Sequence, residues 1–225
     1  MELMNPTVIV GHYGSGKTEF TANLAIQLKE RQNRSVVVAD LDIVNPYFRI
    51  RELTESLAEQ GIRLLSSNYE EDYYLDMPAL AAAIQTCFEG EDQLNLIDVG
   101  GDPAGATVLA RYSHLLRGRD YAMWMVVNAN RPQTATVEDI RQFIAGIEQT
   151  SRLKINGVIN NTHLLQETSI EDILRGDALI RQVSKETGLP VICTVVEERL
   201  REATAQLDLA GELFYIKIAV RPDWL

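Results

Sequence analysis

The sequence is poor in cysteine, in basic residues and in long apolar runs. Only two cysteines, Cys87 and Cys193, occur in 225 residues, and neither has a Cys-x-x-Cys partner. That argues against a disulfide framework and against a cysteine-held metal or cluster, so each thiol is expected as a small buried hydrophobe. His12, His114 and His163 are the three histidines, and none stands at metal-ligand spacing with cysteines or acids. Lys and Arg number 21 against 32 Asp and Glu, a formal net charge of −11. Such a balance opposes non-specific binding to nucleic acid or to an anionic membrane. No apolar run is long enough to span a bilayer, and Met1 to Thr7 is too short for a signal peptide ahead of the first strand. The expected setting is therefore cytoplasmic. No repeat, low-complexity tract or linker stands out, and residues 1–225 read as one domain.

What is present is a glycine-rich loop in a telling place. Gly11-His12-Tyr13-Gly14-Ser15-Gly16-Lys17-Thr18 matches G-x-x-x-x-G-K-[ST], directly after the apolar run Val8-Ile9-Val10 and directly before a helical pattern. This is the context a phosphate-binding loop requires. Gly11, Gly14 and Gly16 let the backbone turn tightly and approach an anion closely. Unpaired N–H groups at the helix start face that anion, and the helix dipole adds positive potential. Lys17 is placed to reach β/γ-phosphate oxygens, and the Thr18 hydroxyl to ligate Mg²⁺. His12 and Tyr13 fill variable positions of the loop and are expected to point to solvent.

The rest of the chain alternates apolar β-runs with helical stretches. Strands are expected at 7–11, 35–40, 62–66, 94–98, 121–127, 155–160 and 191–195, with 213–220 either a last strand or a strap. Helices are expected at 17–32, 50–60, 78–88, 104–116 and 197–207. Two more open at the cap patterns Thr136-x-x-Asp139 and Ser169-x-x-Asp172, the latter interrupted near Gly176. Alternation of this kind predicts a doubly wound, mainly parallel α/β sheet with helices on both faces. Ligands then bind at the carboxyl ends of the strands.

Several polar residues fall at those ends. Asp98 closes a buried strand and precedes Gly100-Gly101; in a P-loop enzyme such an acid holds Mg²⁺ through water, and a following glycine amide senses the γ-phosphate. Asp40 and Asp42 leave the second strand; one carboxylate can orient an attacking water, and spacing does not say which. Asn160 and Asn161 end another strand, and an Asn amide suits a purine edge. The run Asn160-Asn161-Thr162-His163 lacks the Lys and Asp of the Asn-Lys-x-Asp guanine motif, which tilts the base toward adenine. Arg49, Arg51 and Arg131 lie in strand-end loops and are expected in surface ion pairs; His163 is expected to be surface or structural.

Taken together, GHYGSGKT, VVVADLD, LIDVGGDPAG, GVINNT and PVICTVVEERL resemble the P-loop ATPases of the MinD, ParA and CobQ/CobB type, in the SIMIBI class. The resemblance implies that Gly11 to Thr18 bind phosphate, Asp42 positions water, Asp98 is the metal-side acid and Gly100 and Gly101 sense the γ-phosphate. It also implies that Asn161 meets adenine beside the backbone of Val196 and Glu197. Members often act as nucleotide-switched homodimers. One departure is plain: His12 stands where the family has a second lysine that crosses the dimer. The loop also resembles that of nickel-insertion GTPases, whose metal-binding and guanine motifs are missing here. The expected function is an ATP- and Mg²⁺-dependent switch or maturation factor with a client protein. Two alternatives stand beside it. One is a dethiobiotin-synthetase-like ATP-dependent kinase or ligase with Tyr69, Tyr73, Tyr74 and Arg49 near its acceptor. The other is a nucleotide-binding module with negligible turnover.

Overall fold

A computed structural model describes residues 3–32, 34–42, 50–66, 77–90 and 92–218. Eight strands form its sheet: β1 (Thr7–Gly11), β2 (Ser35–Leu41), β3 (Ile62–Leu65), β4 (Gln93–Val99), β5 (Ala122–Val127), β6 (Gly157–Asn160), β7 (Val191–Glu197) and β8 (Glu212–Ile216). Their order is β3-β2-β4-β1-β5-β6-β7-β8 and every pairing is parallel. The expected doubly wound architecture is thus found, with parallel pairing throughout. The chain runs outward on one side of β1, returns beside it as β4, then continues on the other side from β5. That reversal puts the end of β1 at the crevice where ligands of such sheets bind.

Helices α1 (Lys17–Arg31), α2 (Thr54–Glu59), α3 (Met77–Glu89), α4 (Thr107–Tyr112), α5 (Val137–Ser151), α6 (Ile170–Thr187) and α7 (Arg201–Thr204) cover the sheet. Period-two alternation sorts the strand residues between two cores. Val8, Val10, Val37, Met123 and Met125 face α3 through α6. Ile9, Val36, Val38, Trp124 and Val126 face Phe20, Leu24 and Leu28 of α1 and Leu57 of α2. Both cysteines are buried and free, and burial raises both thiols, Cys87 to about 11.

Of the 213–220 stretch, residues 213–216 belong to strand β8, and 219–220 lie outside the described residues. Phe20 of α1 packs on Phe214 of β8 with ring centroids 5.1 Å apart. Asn23 of α1 donates to the Lys217 carbonyl at 2.9 Å and accepts from its N–H at 3.0 Å, and Gln27 donates to the Tyr215 carbonyl at 2.7 Å. Three helices are shorter than expected, the first being α2, which begins at Thr54 after a 3-10 turn over Ile50–Leu53. The Asp102 carboxylate accepts from the Gly105 N–H at 2.6 Å, so residues 102–105 form a turn and α4 begins only at Thr107. The stretch expected as a helix over 197–207 is a 3-10 turn, Glu198–Leu200, followed by the short α7.

Both anticipated caps form. Thr136 accepts from the Asp139 N–H, and Ser169 makes a reciprocal capping box with Asp172. Helix α6 is continuous through Gly176, contrary to the expected interruption. A Cβ there would overlap Thr162 Oγ1 and lie 2.7 Å from Asn160 Oδ1, so glycine serves close approach of α6 to the β6 exit. Two effects oppose each other at this position. Ala gains about 1 kcal/mol of helix propensity, whereas overpacking costs about 1–3 kcal/mol. Packing prevails because the atoms met are fixed in a buried hydrogen-bonded turn. Gly176→Ala is expected to lower the melting temperature by roughly 2–8 °C, read by circular dichroism; a rise would show that propensity decides.

Candidate functional site

The exits of β1, β2, β5, β6, β7 and β8 surround a cleft with about 1140 Å³ of atom-free space open to solvent. Its floor is the loop between β1 and α1. Gly16 takes the left-handed conformation at φ 83°, and a Cβ there would overlap Asn161 Nδ2. That geometry leaves room only for glycine. The Ser15 N–H donates to the His12 carbonyl at 3.1 Å and closes the turn. Ser15 is fully buried, and its hydroxyl has no partner among the described residues.

Lys17 is buried under this loop. Its Nζ donates to the His12 carbonyl at 3.3 Å. Burial pulls the ammonium below its ordinary pKa, opposed by the negative charges of Asp98, Asp42 and Asp102. Asp98 sits on β4 in register with Asp40 on β2. One Asp98 oxygen accepts from the Thr18 hydroxyl at 2.8 Å. The other, Oδ1, is buried with no partner among the described residues. Burial, with the nearby charges of Asp40 and Asp42, pushes this carboxyl up to about 7, against Lys17 and the Thr18 hydrogen bond.

The structure separates the two acids that spacing left equivalent. The Asp40 carboxylate accepts from the Asp42 N–H at 2.9 Å and so holds the start of the loop. Asp42 lines the cleft, and a Cβ on Gly100 would lie 3.2 Å from its Oδ1. Gly101 packs on the phosphate loop, where a Cβ would stand 2.8 Å from the Tyr13 nitrogen and 3.0 Å from Lys17 Nζ. Asp42, Asp98, Gly100, Gly101, Lys17 and Thr18, far apart in sequence, thus meet at one point.

Residues 7–205 match the CobQ/CobB/MinD/ParA nucleotide binding domain. The chain belongs to that family. No curated protein matches the sequence. Among solved structures it is similar to chloroplast FtsY from Physcomitrella patens: 17% identity, TM-score 0.57, covering 86% of this chain and 59% of that one. The signal recognition particle receptor FtsY from Elizabethkingia anophelis in complex with GDP shows 19% identity and TM-score 0.57, covering 87% and 59%. The cell division protein FtsY from Thermotoga maritima shows 18% identity and TM-score 0.56, covering 87% and 63%. At such identities the likeness is one of fold, and the chain spans about 60% of the length of these proteins.

In this nucleotide-binding domain one end of the cleft is built from the β6 and β7 exits. Asn161 Nδ2 donates to the Ser15 carbonyl at 2.7 Å, beneath the phosphate loop. Val196 and Glu197 line the same end. Glu197 pairs with Arg199 at 2.7 Å, and Arg199 also donates to the Leu165 and Thr168 carbonyls. His163, expected at the surface or in a structural role, is half-buried and lines the cleft, with Nδ1 accepting from the Leu165 N–H at 3.3 Å. Tyr13 is 52% exposed, as expected. His12 does not point to solvent: it is half-buried edge-on to Phe143 at 5.5 Å, and burial lowers its pKa. Its Nδ1–H donates to the Tyr13 carbonyl at 2.7 Å, which keeps the neutral ring in place. Arg131 is in no surface ion pair with a described residue; its Nε donates to the Gly14 carbonyl at 3.0 Å. The one signal for Arg131 in one dimension is its place just past a strand end. Arg49 and the tyrosines at 69, 73 and 74 lie outside the described residues, as does the side chain of Arg51.

No group of three metal-ligating side chains occurs among the described residues. The donor set nevertheless fits Mg²⁺, which takes one or two protein oxygens and fills its shell with water and phosphate. Thr18 offers a hydroxyl and Asp98 an unpartnered buried oxygen. The raised Asp98 pKa has a stability consequence of definite sign. Between its ordinary 3.8 and about 7 the folded protein holds a proton that the unfolded chain has released. The Asp98 contribution to stability therefore falls as pH rises from about 4 to about 7 and is flat above. In chelator and without nucleotide, Asp98→Asn is expected to gain melting temperature over wild type at pH 8 relative to pH 5. An equal difference at both pH values would refute the shift.

Proposed function

We propose that the chain is an Mg²⁺-dependent ATPase whose bound nucleotide sets the exits of β2 and β4, as a switch that pairs two copies around ATP. The observation that carries this reading is the junction of a buried lysine, a threonine hydroxyl and an unpartnered Asp98 oxygen beside Asp42 and Gly101. Three buried carboxylates and one ammonium make this corner negative without a divalent cation. Amides of Gly14 to Thr18 and the Lys17 ammonium bind the β- and γ-phosphates; Thr18 and Asp98 hold the metal. Magnesium, when bound, neutralises charge on the phosphate oxygens. Asp42 accepts a hydrogen bond from a water and aims it in line at the γ-phosphorus. The water oxygen–phosphorus bond forms as the bond to the β–γ bridging oxygen breaks, and the proton leaves with the inorganic phosphate. Lys17 offsets charge on the departing oxygen. Gly100 and Gly101, lying between Asp42 and Lys17, relay the presence of the γ-phosphate to the β4 exit.

Asn161 favours adenine over guanine. A carbonyl only accepts, so the amide nitrogen is the group engaged by Ser15, through one of its two N–H bonds; Oδ1 is the acceptor we assign to the base. Adenine presents an amino donor at its 6-position, guanine a carbonyl acceptor. Glu197, the carboxylate at this end of the cleft, is neutralised by Arg199.

With Mg²⁺, the protein is expected to hydrolyse ATP faster than GTP, and Lys17→Ala to reduce turnover by about 100-fold or more. Equal rates in the two proteins, or preference for GTP, would count against the reading. Asp42→Ala is expected to bind ATP without releasing phosphate and to double in particle mass in ATP but not in ADP, read by light scattering.

A further inference from the structure

The exits of β1, β2, β4, β6 and β7 each have a role in the reading above; the β5 exit has none. It is nevertheless held by a dense set of hydrogen bonds. Asn128 donates from Nδ2 to the His163 carbonyl at 3.2 Å, and its Oδ1 accepts from the N–H groups of Asn130 and His163 at 3.0 and 3.3 Å. The Ala129 N–H donates to Thr162 Oγ1 at 3.1 Å, and the Thr134 hydroxyl to the Asn128 carbonyl at 2.8 Å. Asn130 Oδ1 accepts from Arg175 of α6, which is also paired with the buried Asp172 at 2.6 Å.

This scaffold presents one cation, Arg131. Its backbone is fixed at both ends, its N–H donating to the Asn128 carbonyl at 3.0 Å and its carbonyl accepting from the Thr134 N–H at 2.9 Å. The guanidinium lies across Gly14, where a Cβ would stand 2.8 Å from both Cζ and Nη2, so any larger residue at 14 would displace it. Only Nε is engaged, by the Gly14 carbonyl at 3.0 Å. Neither Nη nitrogen has a partner among the described residues, no described carboxylate pairs with the group, and it lines the cleft beside Lys17. A planar fork with two donors left over, anchored on a phosphate loop, matches the geometry of phosphate oxygens.

We propose that Arg131 is a nucleotide-binding residue: it grips the phosphate loop through Nε and donates from Nη to the polyphosphate chain of the same subunit's nucleotide. The proposal rests on the nucleotide-binding reading of the cleft. Being preorganised, the guanidinium loses little freedom when the nucleotide arrives. Its charge opposes dissociation of a tri- or diphosphate and is indifferent to an uncharged nucleoside.

The test is a ladder of adenosine, AMP, ADP and ATP, each with Mg²⁺, titrated calorimetrically into wild type, Arg131→Gln and Arg131→Lys. Gln keeps a neutral N–H donor for the Gly14 carbonyl, and Lys keeps the charge. Arg131→Gln is expected to lose about 10-fold or more in ATP affinity, with the loss growing along the ladder and adenosine unmoved. Arg131→Lys is expected to retain most of the ATP affinity, with a steeper salt dependence than Arg131→Gln. ATP binding by Arg131→Gln at wild-type strength, or an equal fall in both variants, would assign the residue to bracing the loop alone and overturn the proposal. If wild type itself binds no rung of the ladder, the nucleotide reading falls, and this inference falls with it.

Discussion

One burial problem organises the molecule. Lys17 and Asp98 are almost wholly removed from water, and removal from water penalises the charge on each. The protein itself offers only partial relief. Lys17 has a carbonyl, and Asp98 has one hydroxyl for two oxygens. Folding could solve such a conflict with apolar residues of similar volume at no loss of stability. Keeping it means the corner is left incomplete at a place where an anion and a cation together would complete it. The surrounding elements enforce this. Buried strands β1 and β4 fix the two main chains, α1 starts at the loop, and Gly101 lets the β4 exit come within contact of the loop's backbone at Tyr13.

How much of this is written in the sequence depends on whether the determining contact is local. The phosphate loop, the strand–helix alternation and the two helix caps are set by residues within a few positions of each other. They are found where the pattern puts them. Asp98 is legible for a similar reason, because an acid that closes a buried apolar strand is seldom there for packing. The division of labour between Asp40 and Asp42 is not legible. It depends on the β2–β4 register and on which carboxylate folds back onto the backbone. Gly176 reads as a break in a helix, since a glycine kept for close approach and one that ends a helix look alike in one dimension. Arg131 is placed by a carbonyl 117 residues away, His163 by an amide 35 residues away and His12 by the ring of Phe143, and no spacing rule carries such contacts.

Membership of the CobQ/CobB/MinD/ParA nucleotide binding domain family covers nearly the whole described chain, while the likeness to FtsY proteins is one of fold. The cleft has its own character within that frame. A neutral imidazole packed on Phe143 occupies position 12, and a guanidinium covers Gly14. The cationic potential over the outer turn of the loop thus comes from the β5 exit and not from the loop's own second position.

The contacts between α1 and β8 carry a consequence for assembly. An outermost strand normally offers a row of open main-chain groups to which a foreign strand can be added. Here the amides of Asn23 and Gln27 already occupy the Lys217 N–H and carbonyl and the Tyr215 carbonyl. At Tyr215 and Lys217 that margin is already engaged within the chain, and the helix that engages it is the one that begins at Lys17.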